Sequence, residues 1–249
     1  MNENNKLIKR LYIARHNNRV TNDLIIQKLF TNIVELHGDR EGYDDSEIST
    51  RIGLLGNLPW TIISLCNHKN NGSAMPYGYR KVLRIARLSE KFQRPILYLV
   101  DTPGAACNIQ AENLGQSAAI ADSLYTLLQL RVPQITIITG QGGSGGAIAL
   151  SCGDKLYMLQ NSIFSVISPE GCSEIIWHDK KHVEDAAKLL GMFPEELYKN
   201  SIIDGIVPCN TSEQILNLEK IIRNDYEKLK SMDQEELLEQ RMKKYTEIR

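Results

Sequence analysis

The densest chemical signal in this 249-residue chain is Gly142-Gly143-Ser144-Gly145-Gly146, set between an apolar run, Ile135 to Thr139, and a small-residue run, Ala147 to Cys152. Glycine at a strand-to-helix junction lets the backbone come into contact with another molecule, and the first amides of a helix point outward without intrahelical acceptors. Amides aimed at a carbonyl oxygen that gains negative charge contribute about 3–4 kcal/mol per donor in a dry site. A second turn, Asp101-Thr102-Pro103-Gly104-Ala105, follows the apolar run Ile96 to Val100 and could supply a further amide or shape the same pocket. A site built largely of backbone needs few titratable side chains.

The same glycines admit other uses. Gly142-x-Ser144-x-Gly146 fits the nucleophile elbow of serine hydrolases, with His178 or His182 and Asp154 or Asp179 as partners. A phosphate cradle is disfavoured, since neither a Walker lysine nor a spaced Gly-x-Gly-x-x-Gly with a downstream ribose acid is present. Glycines used only for tight packing are a further reading. Cys66, Cys107, Cys152, Cys172 and Cys209 are odd in number and include no Cys-x-x-Cys pair, which points to reduced packing thiols and against a zinc ribbon or disulfide scaffold. His178 and His182 have i, i+4 spacing without supporting ligands, so no metal site is expected.

The elements that must position these turns follow from periodicity. Ile25, Ile26, Leu29, Phe30, Ile33 and Val34 predict a helix running from Asn22-Asp23 to near Gly38. Ile52 to Leu55 and Trp60 to Cys66 flank Gly56-Asn57-Leu58-Pro59 and predict two antiparallel strands. Tyr79 to Lys91 reads as an amphipathic helix with a basic stripe of Arg80, Arg84, Arg87 and Lys91. Strand, glycine turn and helix then alternate, with a helix from about Glu112 to Leu130 and strand-like runs Leu156 to Leu159 and Ile163 to Ile167. Apolar strands separated by helices imply parallel pairing, hence an α/β fold. The charged tail, Thr211 to Arg249, predicts one or two amphipathic helices. The expected division is a helical segment over 1–48, a core over 49–210 and C-terminal helices over 211–249.

Composition narrows the function classes. The chain has 29 Lys plus Arg against 30 Asp plus Glu, a balance that argues against nucleic acid as the main partner. No apolar run approaches the ~18 residues of a membrane span. Met1-Asn2-Glu3-Asn4-Asn5-Lys6 lacks a secretory h-region, so a soluble cytoplasmic protein is expected.

Asp101 to Ala105, Gly115-Gln116, Gly140 to Ala147 and Ser165-Val166-Ile167-Ser168-Pro169-Glu170-Gly171-Cys172, in this order, resemble the α subunits of bacterial acetyl-CoA carboxylase carboxyltransferases. Leu36-His37-Gly38-Asp39-Arg40, Gly78-Tyr79-Arg80-Lys81 and Ile203-Asp204-Gly205-Ile206-Val207-Pro208 agree, and the likeness covers about residues 11 to 208. The resemblance implies a crotonase-like ββα spiral with peripheral N- and C-terminal helices. It also implies transfer of the carboxyl group from carboxybiotin, on a biotin carboxyl carrier protein, to acetyl-CoA, giving malonyl-CoA for fatty acid synthesis. The implied partners are a zinc-bearing β subunit in an α2β2 assembly and biotin carboxylase in a wider ATP-dependent complex. By the same resemblance Gly142 and Gly143 are the oxyanion donors, and Gly104, Ala105, Ser144 and Gly145 line the substrate pocket, with no metal in this chain.

Several positions depart from the family pattern. Ala106-Cys107-Asn108 stands where an aromatic, a proline and a glycine are usual, Asn113-Leu114 replaces Glu-Arg, and Gln141 replaces a glutamate. The loop Lys69 to Met75 is shortened, and Tyr77 stands before Gly78-Tyr79-Arg80-Lys81 in place of the glutamate of a usual Pro-Glu. These departures raise the alternative of a paralogue with reduced or no transferase activity, acting as a binding or structural subunit.

Overall fold

The computed structural model describes residues 3–16, 19–66, 72–209 and 213–247. The shortened loop from Lys69 to Met75 therefore lies partly outside the described residues, as do the start of the chain and the first residues of the charged tail.

Helix α1 (Glu3–Arg15) is followed by α2 (Asn22–Leu29), which is capped by Thr21, whose hydroxyl accepts the Leu24 amide at 3.2 Å. The helix predicted to reach Gly38 ends here. Phe30 turns extended and Asn32 takes φ 51°, after which β1 (Thr31–Leu36) pairs antiparallel with β2 (Ile48–Leu55) at the edge of the sheet. Segment 1–48 is thus not all helical, since it contributes an edge strand. β2 and β3 (Leu58–Leu65) form the expected antiparallel pair, joined by a tight turn with Gly56 at φ 65°. α3 (Pro76–Lys91) starts on Pro76, where a missing amide costs nothing, and leads to β4 (Ile96–Thr102).

From β3 onward the sheet is parallel. The predicted helix 112–130 is two helices, α4 (Ile109–Asn113) and α5 (Gln116–Gln129), because Gly115 sits at φ 81° between them. β5 (Gln134–Gly143) lies between β4 and β6 (Lys155–Leu159). The short α6 (Ser144–Ile148) follows β5 directly. β7 (Ile163–Ser165), α7 (Pro169–Trp177), α8 (Val183–Leu189), α9 (Pro194–Lys199) and β8 (Gly205–Val207) complete the body. The sheet forks at β5: residues 135–138 pair with β6, whereas Gln141 to Gly143 pair with β7.

Period-2 alternation places side chains on both faces. Ile96, Tyr98 and Val100 join Tyr79, Val82 and Ile85 of α3 in one core, while Leu97 and Leu99 join Trp60, Ile62, Ile25 and Ile26 in the other. The charged tail forms α10 (Gln214–Lys230) and α11 (Gln234–Thr246). α10 covers the second core with Leu218, Ile222, Tyr226 and Leu229. No described helix is long and apolar enough to cross a membrane.

Candidate active site

β4 and β5 deliver two turns to the same end of the sheet. Thr102 closes the first: its Oγ1 accepts the Gly104 amide at 3.0 Å and donates to Gly72 O at 2.5 Å. Gly104 follows rigid Pro103 at φ 148°, a conformation that favours glycine. This turn lies directly on the second. A Cβ at Gly143 would stand 2.1 Å from Pro103 O, and one at Gly146 would stand 2.5 Å from the Ala105 amide nitrogen. A Cβ at Gly142 would meet the Phe164 ring at 2.7 Å. The packing role of these three glycines is therefore real. Gly145 differs, because its nearest neighbour would be Ile120 Cδ1 at 3.8 Å.

Gly142 is paired in register with Thr102 on one side and Phe164 on the other, and Gly143 caps α6. The residues whose amides lack intrahelical acceptors are Gly143, Ser144, Gly145 and Gly146. Ser144 sits at φ 53° and is exposed. Gly104, Ala105, Gly142, Gly143, Ser144 and Gly145 are thus all brought to one place. A cleft beside them is walled by Pro103, Ile163, Ile167 and Met192, with Gly142 and Gly143 in its lining. It holds only about 30 Å³, room for a water or two and far less than a substrate.

Serine hydrolase machinery is not assembled among the described residues. Asp154 is bound by Arg241 and by the Gln134 amide at the start of β5, and since Gln134 and Gly142 are in register with Ile96 and Thr102, roughly 20 Å of strand separates it from the glycine turn. His182 Nδ1 faces Asp185 at 3.2 Å and its ring stacks on Trp177, while His178 ends α7 at φ 55°. Among the described residues no three His, Cys, Asp or Glu converge on a metal position.

Two arginines enter from the N-terminal segment. Arg15 lines the cleft and donates both Nη1 and Nη2 to Glu170, at 2.7 and 3.0 Å. That hydrogen-bonded pairing holds the Glu170 carboxyl below its ordinary range against the opposing push of burial. Arg19 Nη2 donates to Asp101 at 2.5 Å, and Asp101 Oδ1 accepts the Gln141 amide at 2.9 Å. Neither arginine was legible in the sequence, because their acidic partners lie 155 and 82 residues away.

The basic stripe is largely spent within the chain. Arg80 reaches Asp39 at 3.1 Å and Leu114 O at 3.2 Å, and Arg84 reaches Gly38 O at 3.0 Å and His37 O at 2.8 Å. The loop at His37 to Asp44 is held by side-chain hydrogen bonds, with Asp39 Oδ1 accepting the Glu41 and Tyr43 amides. The residues that depart from the family pattern are likewise satisfied. Ala106 donates to Ala74 O at 2.9 Å, Asn108 Oδ1 caps α4 at the Ala111 amide, and Leu114 packs with Met75, Ala106 and Ala111. Gln141 keeps its backbone role whatever its side chain.

Comparisons with known proteins identify the family and the fold. The family model described as acetyl co-enzyme A carboxylase carboxyltransferase-like matches residues 2–249. The acetyl-coenzyme A carboxylase carboxyl transferase subunit alpha of Ruminiclostridium cellulolyticum is 42% identical over 246 residues, covering 94% of this chain and 95% of that protein. The carboxyl transferase subunits beta/alpha of Clostridium tetani, on one chain, is 39% identical, covering 96% of this chain and 44% of that one. Among solved structures, transcarboxylase 12S with methylmalonyl-coenzyme A and methylmalonic acid bound superposes with a TM-score of 0.72 at 17% identity, over 88% of this chain and 44% of that one. The last likeness concerns the fold, which is the crotonase-like arrangement expected from the motifs. From the paired glycine turns, the family match and the near-full-length relatives, the chain belongs to the acetyl-CoA carboxylase carboxyltransferase α-subunit family.

Proposed function

We propose that this chain is the α half of a biotin-dependent carboxyltransferase that moves a carboxyl group from carboxybiotin to acetyl-CoA, giving malonyl-CoA. The observation that carries the reading is the Gly142 to Gly145 turn, exposed at Ser144 and braced on Pro103 to Ala105. Carboxybiotin, delivered by its carrier protein, supplies the carboxyl group and leaves negative charge on its ureido oxygen. Gly143 offers an amide donor to that oxygen and Ser144 and Gly145 extend the donor row, while Gly142, expected as a donor too, is buried in the ladder between Thr102 and Phe164 and supports the row instead. Gly104 and Ala105 form the pocket wall. A neutral heterocycle suits this surface, since Pro103, Ile163, Ile167 and Met192 are apolar and the nearby Arg15 is neutralised by Glu170.

A cleft of about 30 Å³ cannot enclose either substrate, so a zinc-bearing β subunit completes the pocket and the acyl-CoA side of the site. The assembly is α2β2, it works with biotin carboxylase in the cytoplasm, and this chain turns over nothing alone. No observation favours the binding-only alternative.

The test is decarboxylation of malonyl-CoA with a biotin analogue, using the chain co-expressed with its β partner. Turnover in the complex, with none in either chain alone, is the expected result. A well-formed complex without turnover would overturn the reading. A fluorophosphonate label at Ser144 would overturn it in favour of a hydrolase.

A further inference from the structure

β4 and β5 fall out of step just before the glycine turn. Val100 pairs with Ile138, but the next pair is Thr102 with Gly142, so residues 139–141 of β5 face the single residue Asp101 of β4. The excess is pushed out of the ladder, and a bulge of this kind re-aims the residues beyond it. Asp101 is the residue in the gap, and it is only 8% exposed. Its Oδ1 accepts the Gln141 amide at 2.9 Å and its Oδ2 accepts Arg19 Nη2 at 2.5 Å. Arg19 Nη1 reaches toward Thr139 O at 3.5 Å. Gly140 is squeezed between the two, since a Cβ there would stand 2.1 Å from Arg19 Nη1 and 2.4 Å from Asp101 Oδ1. Asn22, three residues on, adds Thr139 Oγ1 at 2.5 Å to the same stitch. Arg19 Nε is buried without an acceptor, so the guanidinium is placed by Asp101 and the bulge at the cost of one of its own donors.

We propose that Arg19 is a positioning residue for carboxyl transfer: acting through Asp101, it fixes the 139–141 bulge and so aims the backbone amides of Gly143 to Gly145. It touches no substrate. The proposal rests on the amide-donor reading of the glycine turn. Lysine at 19 would keep the charge but lose the planar fork that holds Asp101 and spans Gly140.

The experiment uses Arg19→Lys and Asp101→Asn, singly and together, in the complex with the β partner, with Gly145→Ala in parallel. Expected are a tenfold or larger loss of kcat for malonyl-CoA decarboxylation in each single variant, with KM within twofold. The double variant should be no worse than the weaker single, because both act through one device. In the free chain, amide exchange should speed up at Gln141 to Gly143 while the amides of β3 and β6 keep their protection. Wild-type kcat in the assembled variants, or unchanged exchange at Gln141, would overturn the proposal. A chain that fails to fold on Arg19→Lys would also overturn it, by making Arg19 a support of the whole fold. If Gly145→Ala loses turnover while the Arg19 and Asp101 variants keep it, only this proposal fails. Gly145→Ala keeps its amide but sets a methyl in the open space over the turn; if it keeps full turnover, no substrate sits on the turn, and the donor reading falls and the proposal with it.

Discussion

Single glycines in the turn carry different loads. Gly143 and Gly146 have no room for a methyl group, and the atoms they would strike belong to backbone that cannot step aside. Gly143→Ala is therefore expected to lose stability by about 1–3 kcal/mol, the range for forced overpacking, and to lose turnover with it. Its loss of activity says nothing about amide donation. Gly145 faces open space, and alanine in a helix is favoured over glycine by about 0.5–1 kcal/mol. Gly145→Ala should thus hold or raise the unfolding midpoint in urea while lowering transfer at least tenfold, because the methyl leaves the amide in place but occupies the open space where a substrate would lie, a split that packing alone does not produce. The sequence showed which glycines cluster. It did not show which of them are sterically obliged, because the obstructing atoms come from Pro103 and Ala105, some forty residues earlier.

At the scale of elements, the missed strand is instructive. Ile33 and Val34 continue a helical spacing after Leu29, yet β1 is exposed along nearly its whole length and has neither a buried face nor alternation for the pattern to report. What makes it a strand is its partner β2, a tertiary fact. The helix 112–130 fails locally instead, at Gly115. The loop that follows β1 is tied to α3 through Asp44. Burial pushes that carboxyl up, but hydrogen bonds from Lys81, the Gly38 amide and His37 outweigh it and bring the group to about 2, from 3.8. A lowered carboxyl stabilises the fold above its unfolded value and loses that contribution as pH falls toward its folded one. Between about pH 4 and 2 the loop at 37–45 should therefore loosen from α3 before the sheet does, seen as a falling protection factor at the Gly38 amide. Asp44→Asn should show a low protection factor there already at pH 6.

The whole molecule holds its glycine turn and its most buried ion pair at opposite ends of the sheet. The glycine turn lies at the C-terminal end of β5. At the other end α11 sends in Arg241, 1% exposed, which donates to Asp154 at 2.7 and 3.0 Å and to the carbonyls of Leu130 and Val132. Lys244, one turn on, reaches Asp204 at 2.5 Å beside β8, so the last helix ties α5, β6 and β8 together. The alternating strands were legible because each buried residue belongs to its own element's period. The clasp was not, because a lone arginine in a charged helix looks like solvated surface until its partner, 87 residues away, is known. Removing Arg241 would leave Asp154 buried without its cation, and breaking such a pair costs about 3–5 kcal/mol. Arg241→Ala should lower the unfolding free energy by that amount in urea titration. The double variant Arg241→Met with Asp154→Asn should recover part of it, since no buried charge is then left unpaired and the asparagine oxygen still accepts the Gln134 amide. Because the two ends are separated by roughly 20 Å of β5, the complexes that still assemble should keep wild-type kcat. A parallel drop in kcat and stability would show instead that the clasp reaches the glycine turn through β5.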